Sequence, residues 1–154
     1  MTRRIPYPDD SYLAEIGRVI YALAYLEWGA LGDLSHLPGL PPALSVENLA
    51  GKTTATVALE IRANLAAVAD PGVAAWLLAH ADALEALAPR RNGVVHARPA
   101  TIDGQQRLNR WAKRSGMVEA YPITDDLLGH LVDDIEAAVT ATGGLRPRLP
   151  GSAP

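Results

Sequence analysis

The stretch at residues 70–99, DPGVAAWLLAHADALEALAPRRNGVVHARP, decides the fold class of this chain. It opens with Asp70 and Pro71, and a capping carboxylate followed by proline in the first turn is typical of a helix start. Apolar residues then recur at intervals of three and four, which is the spacing of one face of an α-helix. The pattern predicts a long helix whose buried side holds Val73, Trp76, Leu77, Leu84 and Leu87, with His80 among them.

Two prolines limit this helix. Pro89 lacks an N–H donor and its ring crowds the preceding turn, so we expect the helix to end or kink near Ala88. Residues 90–97 can form a further helical stretch beyond that point, and Pro99 stops it.

Helical patterns lie on both sides of this segment. A first helix is predicted from near Ser11 to residues 32–35, and a final helix opens at Thr124 with acids in its first turn. The apolar residues 19–31 are expected to be a buried part of the first helix. They are too few to span a bilayer, which needs about 20 apolar residues, and they include Glu27.

The region between the first helix and Asp70 is less regular. Residues 36–44 contain Pro-Gly and Pro-Pro pairs, which predict a loop. A second long helix is expected from Ser45 to about Ala69. Gly51 and the threonines at 53–56 weaken its first half and mark where a break would fall.

The periodicity changes after residue 99. Residues 100–102 and 105–111 flank Asp103 and Gly104, a strong signal for a two-residue hairpin turn, and residues 117–121 form a third candidate strand. The sequence therefore predicts a mainly α fold, a bundle of about four to five helices with a small β-hairpin or ribbon near 100–121. We expect one domain over residues 1–142 and a disordered tail over 143–154, where glycine and proline are frequent.

The composition narrows the class of protein. A chain of 154 residues suits one domain with one core. It has no cysteine, which excludes disulfides, cysteine zinc sites and thiol catalysis. No apolar signal segment follows its N-terminus, so a cytoplasmic protein with no membrane contact is expected.

The charge is unevenly distributed. The net charge of −3 argues against a general nucleic-acid binder, yet half of the 14 basic residues lie between residues 90 and 114 beside the single acid Asp103. Residues 125–136 are acidic in turn. Two readings stay open: two solvated faces, or a basic strip that binds a polyanion.

Other motifs give no support for a cofactor or a metal. Gly51-Lys52-Thr53 resembles the end of a phosphate-binding loop, but Val46 stands where that loop needs glycine. The four histidines are far apart and form no metal-binding pair. No cofactor and no metal are therefore expected.

The segment Arg91-Asn92-Gly93-Val94-Val95-His96 carries the most distinctive chemistry. On a helix, Asn92 and His96 lie one turn apart on the same face, with Arg91 adjacent to Asn92. Arginine can hold a phosphate through paired hydrogen bonds, and histidine can move protons near neutral pH. These groups are sufficient for RNA cleavage by the neighbouring 2′-hydroxyl, without a metal.

This segment resembles the signature of the HEPN superfamily (higher eukaryotes and prokaryotes nucleotide-binding), which is arginine, a polar residue, three residues and histidine. The similarity extends over roughly residues 11–142, with a long Leu/Ala helix before the motif, His96-Ala97-Arg98 at its end and an acid-capped helix after it. The resemblance implies a helical bundle, usually a homodimer, with the arginine and histidine of both subunits in a shared cleft. Many members are metal-independent endoribonucleases in toxin–antitoxin or defence systems, some paired with an antitoxin or other protein.

Carried over by position, the resemblance makes Arg91 and His96 catalytic and Asn92 the supporting polar residue. Four nearby arginines are expected to contact RNA phosphates: Arg90, Arg98, Arg107 and Arg110.

The alternative is a non-catalytic HEPN-like domain that binds a nucleotide or a protein. In that case Arg91 and His96 would pair with acids inside the bundle, such as Glu27 or Glu60. An open cleft lined by both residues favours the enzyme, and burial against those acids favours the binding domain.

Overall fold

The computed structural model describes residues 5–114 and 116–149. Within them the chain forms five α-helices and a sheet of three strands, with single 3-10 turns at Pro42–Leu44 and Leu65–Ala67. The fold is thus mainly helical with a small β insertion, as the periodicity predicts. The elements are α1 (Asp10–Leu34), α2 (Val46–Leu49), α3 (Thr54–Asn64), α4 (Pro71–Val95), β1 (Arg98–Ile102), β2 (Gln105–Arg114), β3 (Met117–Ile123) and α5 (Asp125–Gly144).

A polar side chain caps the N-terminus of each of the longer helices. Asp9 accepts a hydrogen bond from the Tyr12 N–H at 2.9 Å, and Asp70 accepts from two N–H groups of the first turn of α4. Thr53 and Thr124 do the same for α3 and α5. These bonds satisfy backbone donors that a helix start leaves free, so the capping residues fix where the helices begin.

The core lies where α1, α4 and α5 pack against one another, and α3 packs on another side of α4. Trp76 and Tyr12 are the largest fully buried side chains. Leucines from α1, α4 and α5 fill the space around them, among them Leu23, Leu26, Leu77, Leu84, Leu128 and Leu131. Helix α4 is therefore the central element, and its position fixes whatever its C-terminus carries.

The sequence predicts that α4 ends or kinks near Ala88. The predicted end is wrong, because the helix continues through Pro89 to Val95. Pro89 cannot donate to the carbonyl of Glu85, but both residues are exposed, so water can bond that carbonyl. The buried side of the helix keeps Leu87, Ala88 and Val94 in the core.

The predicted helix over residues 45–69 is divided. Helix α2 ends at Leu49, α3 begins at Thr54, and the α-helical part ends at Asn64 before a 3-10 turn. The break lies at Gly51 and Thr53, where the sequence placed it, because Thr53 serves as a cap rather than as an interior helical residue.

The three strands form an antiparallel sheet in the order β1-β2-β3. Asp103 and Gly104 have φ values of 50° and 78°, the backbone that a two-residue hairpin turn requires. Tyr12 joins the sheet to the helices, since its hydroxyl donates to the Ile123 carbonyl at 2.8 Å and accepts from the Leu108 N–H at 3.0 Å. The predicted ribbon is confirmed, although it begins at Arg98 and ends at Ile123.

The C-terminal part of the described chain differs from the predicted tail. Helix α5 includes Gly143 and Gly144, and the Arg146 guanidinium makes two hydrogen bonds to the Asp33 carboxylate, at 2.6 and 2.7 Å. The paired charges hold residues after α5 against α1. The remainder of the predicted tail, residues 150–154, lies outside the described residues.

Candidate functional site

The Arg91–His96 motif occupies the last turn of α4. Arg91 and Asn92 are helical, and His96 is the C-cap, whose N–H donates to the Asn92 carbonyl at 3.0 Å. Strand β1 begins two residues later at Arg98. The motif thus lies where the helical bundle meets the sheet.

Arg91 is partly exposed and its guanidinium reaches α3. Its Nη2 donates to the Thr54 hydroxyl at 3.0 Å, and Thr54 is buried at the start of α3. No described carboxylate lies within ion-pair distance of Arg91. Glu60, one of the two acids considered as its partner, pairs instead with Lys52 at 2.7 Å. The described chain therefore does not form the Arg91–glutamate pair that the alternative predicts.

Helix α3 packs against α4 along its length, from Arg91 back to Asp82. Arg62 of α3 pairs with both Asp82 and Glu85 of α4. Glu85, Asn92 and His96 are seven and four residues apart, which places them on one face of α4. Arg91 precedes His96 by five residues, about 140° around a helix of 3.6 residues per turn, so its side chain leaves α4 on a different side and bonds to α3.

The side chain of His96 is exposed and that of Asn92 is partly exposed. In residues 5–114 and 116–149, neither side chain has a hydrogen bond or an ion pair to the protein. Both nitrogens of the imidazole are therefore available to a ligand or to water. The arrangement offers a permanent cation, an amide and a proton-transfer group at one end of one helix.

Arg110 of β2 fixes the end of this helix. Its Nη1 donates to the Asn92 carbonyl at 3.0 Å, and its side chain lies against Gly93. The Asn92 carbonyl thereby accepts a second hydrogen bond beside that of the His96 N–H, and a cation at this position interacts favourably with the helix dipole. Arg110, predicted to contact RNA, thus has a positioning role that the sequence analysis missed.

Two more of the predicted RNA-contacting arginines are paired with acids. Arg90 bonds to Asp134 of α5 at 2.6 Å, and both side chains are about half exposed, 45% and 55%. The Arg107 side chain is only 13% exposed and pairs with Asp9 at 2.7 Å and Asp125 at 3.4 Å. It also lies 4.5 Å from the centre of the Tyr12 ring.

These contacts shift the titration of Asp9. Hydrogen bonds from the Ser11 hydroxyl, the Tyr12 N–H and the Arg107 guanidinium hold the pKa of its carboxyl well below its usual range. In turn, the bond to Asp9 raises the pKa of Arg107. Arg107 therefore belongs to the junction between α1 and the sheet.

Arg98 differs from the other three. It is exposed on β1, and it has no ion pair or side-chain hydrogen bond to any described residue. In the strand register it lies opposite Asn109. Alternation along β2 places Trp111 and Lys113 on the same face as Asn109, and we call the set of Arg98, Asn109, Trp111 and Lys113 the Trp111 face.

The Trp111 face combines positive charge with an exposed aromatic ring. Trp111 is 59% exposed, and Arg98 and Lys113 are also exposed. The β3 residues opposite this part of β2 carry no charge; they are Pro122, Ala120 and Val118. The cations of this face are evident from composition, whereas Trp111 is not singled out by charge; the alternation of Asn109, Trp111 and Lys113 in a predicted strand is the signal for it.

A larger cavity than the one beside the motif lies elsewhere. It measures about 460 Å³ and is lined by Trp76, His80, Asp33 and Arg146, among others. His80 lies 16 residues before His96, about 24 Å along α4 at 1.5 Å per residue. A smaller cavity of about 230 Å³ lies beside the motif, between Arg90, Arg110 and Tyr121.

His80 is held neutral in this larger cavity. Its Nδ1 donates to the Trp76 carbonyl at 3.1 Å, because a carbonyl can only accept. Burial lowers the pKa of the imidazole, although the Trp76 carbonyl and Asp33 oppose that shift. His80 is 3% exposed, as expected for a core histidine.

No protein-family model, no curated protein and no solved structure matches this chain. In the described part of the chain, none of the helices has both the length and the hydropathy needed to cross a bilayer. The described residues also contain no group of three histidines and carboxylates placed to hold a metal ion.

Proposed function

We propose that this protein is a metal-independent endoribonuclease of the HEPN type, with Arg91, Asn92 and His96 as its active site. One observation carries the proposal. Arg91 and His96 lie at the same end of α4, and within the described chain neither is neutralised by a carboxylate, whereas Arg90 and Arg107 are. A cation and an imidazole left without a carboxylate partner near one helix end are suited to a phosphate and a hydroxyl.

In the proposed reaction His96 takes the proton of a ribose 2′-hydroxyl. The 2′ oxygen attacks the adjacent phosphorus, and the bond from phosphorus to the 5′ oxygen breaks. The imidazolium returns the proton to that 5′ oxygen, which leaves a 2′,3′-cyclic phosphate and a 5′-hydroxyl. Arg91 stabilises the negative charge on the phosphoryl oxygens, and the Asn92 amide holds the phosphate or the ribose.

The Trp111 face supports single-stranded RNA as the substrate class. An exposed aromatic ring can stack on a base of any identity, and flanking cations can contact the backbone. Arg98 opens this face two residues after His96, so a strand that stacks on Trp111 can continue to the motif. We exclude Arg107 from the proposed RNA contacts because two carboxylates already pair with it. Arg90 and Arg110 border the smaller cavity, but Arg90 pairs with Asp134 and Arg110 bonds to the Asn92 carbonyl, so we count neither among the phosphate contacts.

The test is cleavage of single-stranded RNA in EDTA by the wild type, by His96→Ala and by His130→Ala. His130 is an exposed histidine on α5 and serves as the matched control. We expect His96→Ala to lose about 10²–10⁴-fold in rate, the usual contribution of general acid–base catalysis, and His130→Ala to keep wild-type activity. Melting curves of the three proteins should coincide, because both side chains are exposed.

The identity of the product ends completes the test. Cyclic phosphate ends that disappear with His96→Ala support the mechanism. Equal cleavage by wild type and His96→Ala would overturn it, as would an absolute requirement for a divalent metal.

The second candidate is a non-catalytic HEPN-like domain that binds a nucleotide or a protein. The observation that favours it is an exposed apolar side of α1, which suits a protein contact. It predicts no cleavage of any RNA by folded protein. A toxin or defence role, with an antitoxin or other protein as partner, belongs to the first candidate.

A further inference from the structure

Helix α1 is apolar on its solvent side as well as on its core side. Eight exposed residues share the solvent side, and none carries a charge. They are Leu13, Ala14, Gly17, Ile20, Tyr21, Ala24, Tyr25 and Trp28. The sequence analysis placed residues 19–31 in a buried helix, and the structure buries only one side of it. A helix that is apolar all round is normally covered on all sides.

The exposed apolar area of α1 can be compared with that of a dimer interface. Tyr21 is 74% exposed, and Tyr25 and Trp28 are each 58% exposed. Since an aromatic side chain presents about 150–250 Å², these three with Leu13 and Ile20 expose about 500 Å². A standard interface buries about 800 Å² on each partner, so this side of α1 supplies more than half of what a stable dimer needs.

The spacing of these residues is symmetric about the bond between Ile20 and Tyr21. Moving outward from that centre, Ile20 matches Tyr21, Gly17 matches Ala24, and Leu13 matches Trp28. Gly17 with Ala24 is a pair of small residues, and Leu13 with Trp28 is a pair of large ones. When two copies of such a helix lie antiparallel, each of these six residues meets its match, and the small pairs let the backbones approach closely.

Gly17 gives independent support. A Cβ at this position would meet no atom within 4 Å, so nothing in the described chain requires glycine there. Glycine in a helix interior is unfavourable relative to alanine. A close approach by another backbone would explain why the position is so small.

We propose that the solvent side of α1 is the interface of a homodimer in which the two α1 helices pack antiparallel across a two-fold axis. The eight exposed residues carry no charge that could attract a partner of opposite charge. A second copy of the same apolar surface is therefore the better fit. The neighbouring ion pair, Arg18 with Glu15, lies at its margin. Antiparallel helices also place opposite dipole ends together. The proposal does not depend on the ribonuclease function.

The first test is the mass of the full chain in solution. We expect sedimentation to give twice 16.3 kDa for the wild type. Tyr21→Glu should give a monomer, with a dissociation constant raised at least about 100-fold, since two charges would be buried at the centre of the interface. Leu59→Glu is the matched control, because Leu59 is 61% exposed on α3, and it should stay dimeric.

The second test determines the orientation and uses the absence of native cysteine. The double variant Gly17→Cys with Ala24→Cys should form a covalent dimer under a mild thiol oxidant. Gly17→Cys alone should not, because the two copies of position 17 would be about 10 Å apart along the axis, beyond disulfide reach.

Three results would overturn the proposal: a monomeric wild type at all concentrations, a dimer that Tyr21→Glu leaves intact, or cross-linking by the single variant as readily as by the double variant. The His96→Ala cleavage test is separate, so failure of the dimer and failure of the ribonuclease are distinguishable.

Discussion

At the scale of single residues, the partner of an arginine determines whether it can serve a ligand. Arg107 has two carboxylates and a tyrosine ring, and Arg90 has one carboxylate. A phosphate that bound either of them would have to compete with a pair already formed. Arg91 bonds only to the neutral Thr54 hydroxyl within the described chain, so it can bind a phosphate without losing an ion pair.

A matched pair of variants separates the structural from the ligand-binding arginines. Arg107→Ala should lower the free energy of unfolding, because it removes the contact with the Tyr12 ring and the ion pair with Asp9. Arg98→Ala should change it by less than about 0.5 kcal/mol, as is usual for exposed side chains, and should weaken RNA binding several-fold.

Urea unfolding and RNA binding of the two variants measure both effects. Two results would contradict the structural role of Arg107 and the RNA-binding role of Arg98. One is a lower stability of Arg98→Ala than of Arg107→Ala. The other is weaker RNA binding by folded Arg107→Ala than by Arg98→Ala.

His80 should make the fold sensitive to mild acid. Burial lowers the pKa of its imidazole below the ordinary value of 6.5. The unfolded chain therefore binds a proton that the folded chain does not, and the free energy of unfolding falls as the pH drops through about 6.5. Urea unfolding at pH 7.5 and pH 5 should show a smaller fall for His80→Gln than for the wild type. Equal falls in the two proteins would refute this.

At the scale of elements, the packing of α4 determines the position of the motif at its C-terminus. Its first half packs against α1, α3 and α5, and its last turn is held by Arg110 and by the Thr54–Arg91 bond. Because Pro89 lies between these two parts, the stability of the helix at that point bears directly on the position of His96.

Replacing Pro89 by alanine should stabilise the protein. The helix already passes through this exposed position, and proline in a helix interior is about 3 kcal/mol less favourable than alanine. Since proline also restricts the unfolded chain, we expect a net gain of about 1–2 kcal/mol in unfolding free energy. Thermal and urea unfolding would measure it.

Ala86→Gly is the control for this substitution, because Ala86 is exposed one turn earlier on α4, and it should cost about 1 kcal/mol. A loss of stability in Pro89→Ala would mean that α4 is not continuous through residue 89.

The elements whose signals are local could be predicted from the sequence. The caps at Asp70 and Thr124 and the Asp103-Gly104 turn each depend on residues within three positions of one another. The contact of Arg91 with Thr54 spans 37 residues, and that of Arg107 with Asp9 spans 98. Such pairs depend on how helices pack, which a single sequence does not encode in its spacing.

At the scale of the whole molecule, a net charge of −3 must be reconciled with a proposed RNA ligand. Two cations of the basic segment are paired with acids in the described chain, since Arg90 and Arg107 face acids of α5 and of the α1 cap. Arg110 is bonded to the Asn92 carbonyl, and the positive charge left for a strand is that of Arg91 in the motif and of Arg98 and Lys113 on the Trp111 face. Both readings of the charge pattern thus apply, to different arginines.

This distribution predicts a weak dependence of RNA binding on salt. Each phosphate neutralised on a single strand contributes about 0.7 to the slope of log Kd against log salt concentration, so three contacts give a slope of about 2. Arg98→Ala should reduce that slope by about 0.7, and Arg107→Ala should leave it unchanged, because Arg107 is already paired. The measurement is binding of the His96→Ala protein to a short single-stranded RNA across a salt series, which avoids cleavage. If Arg107→Ala reduced the slope and Arg98→Ala did not, the RNA strand would bind at the junction of α1 with the sheet instead of on the Trp111 face.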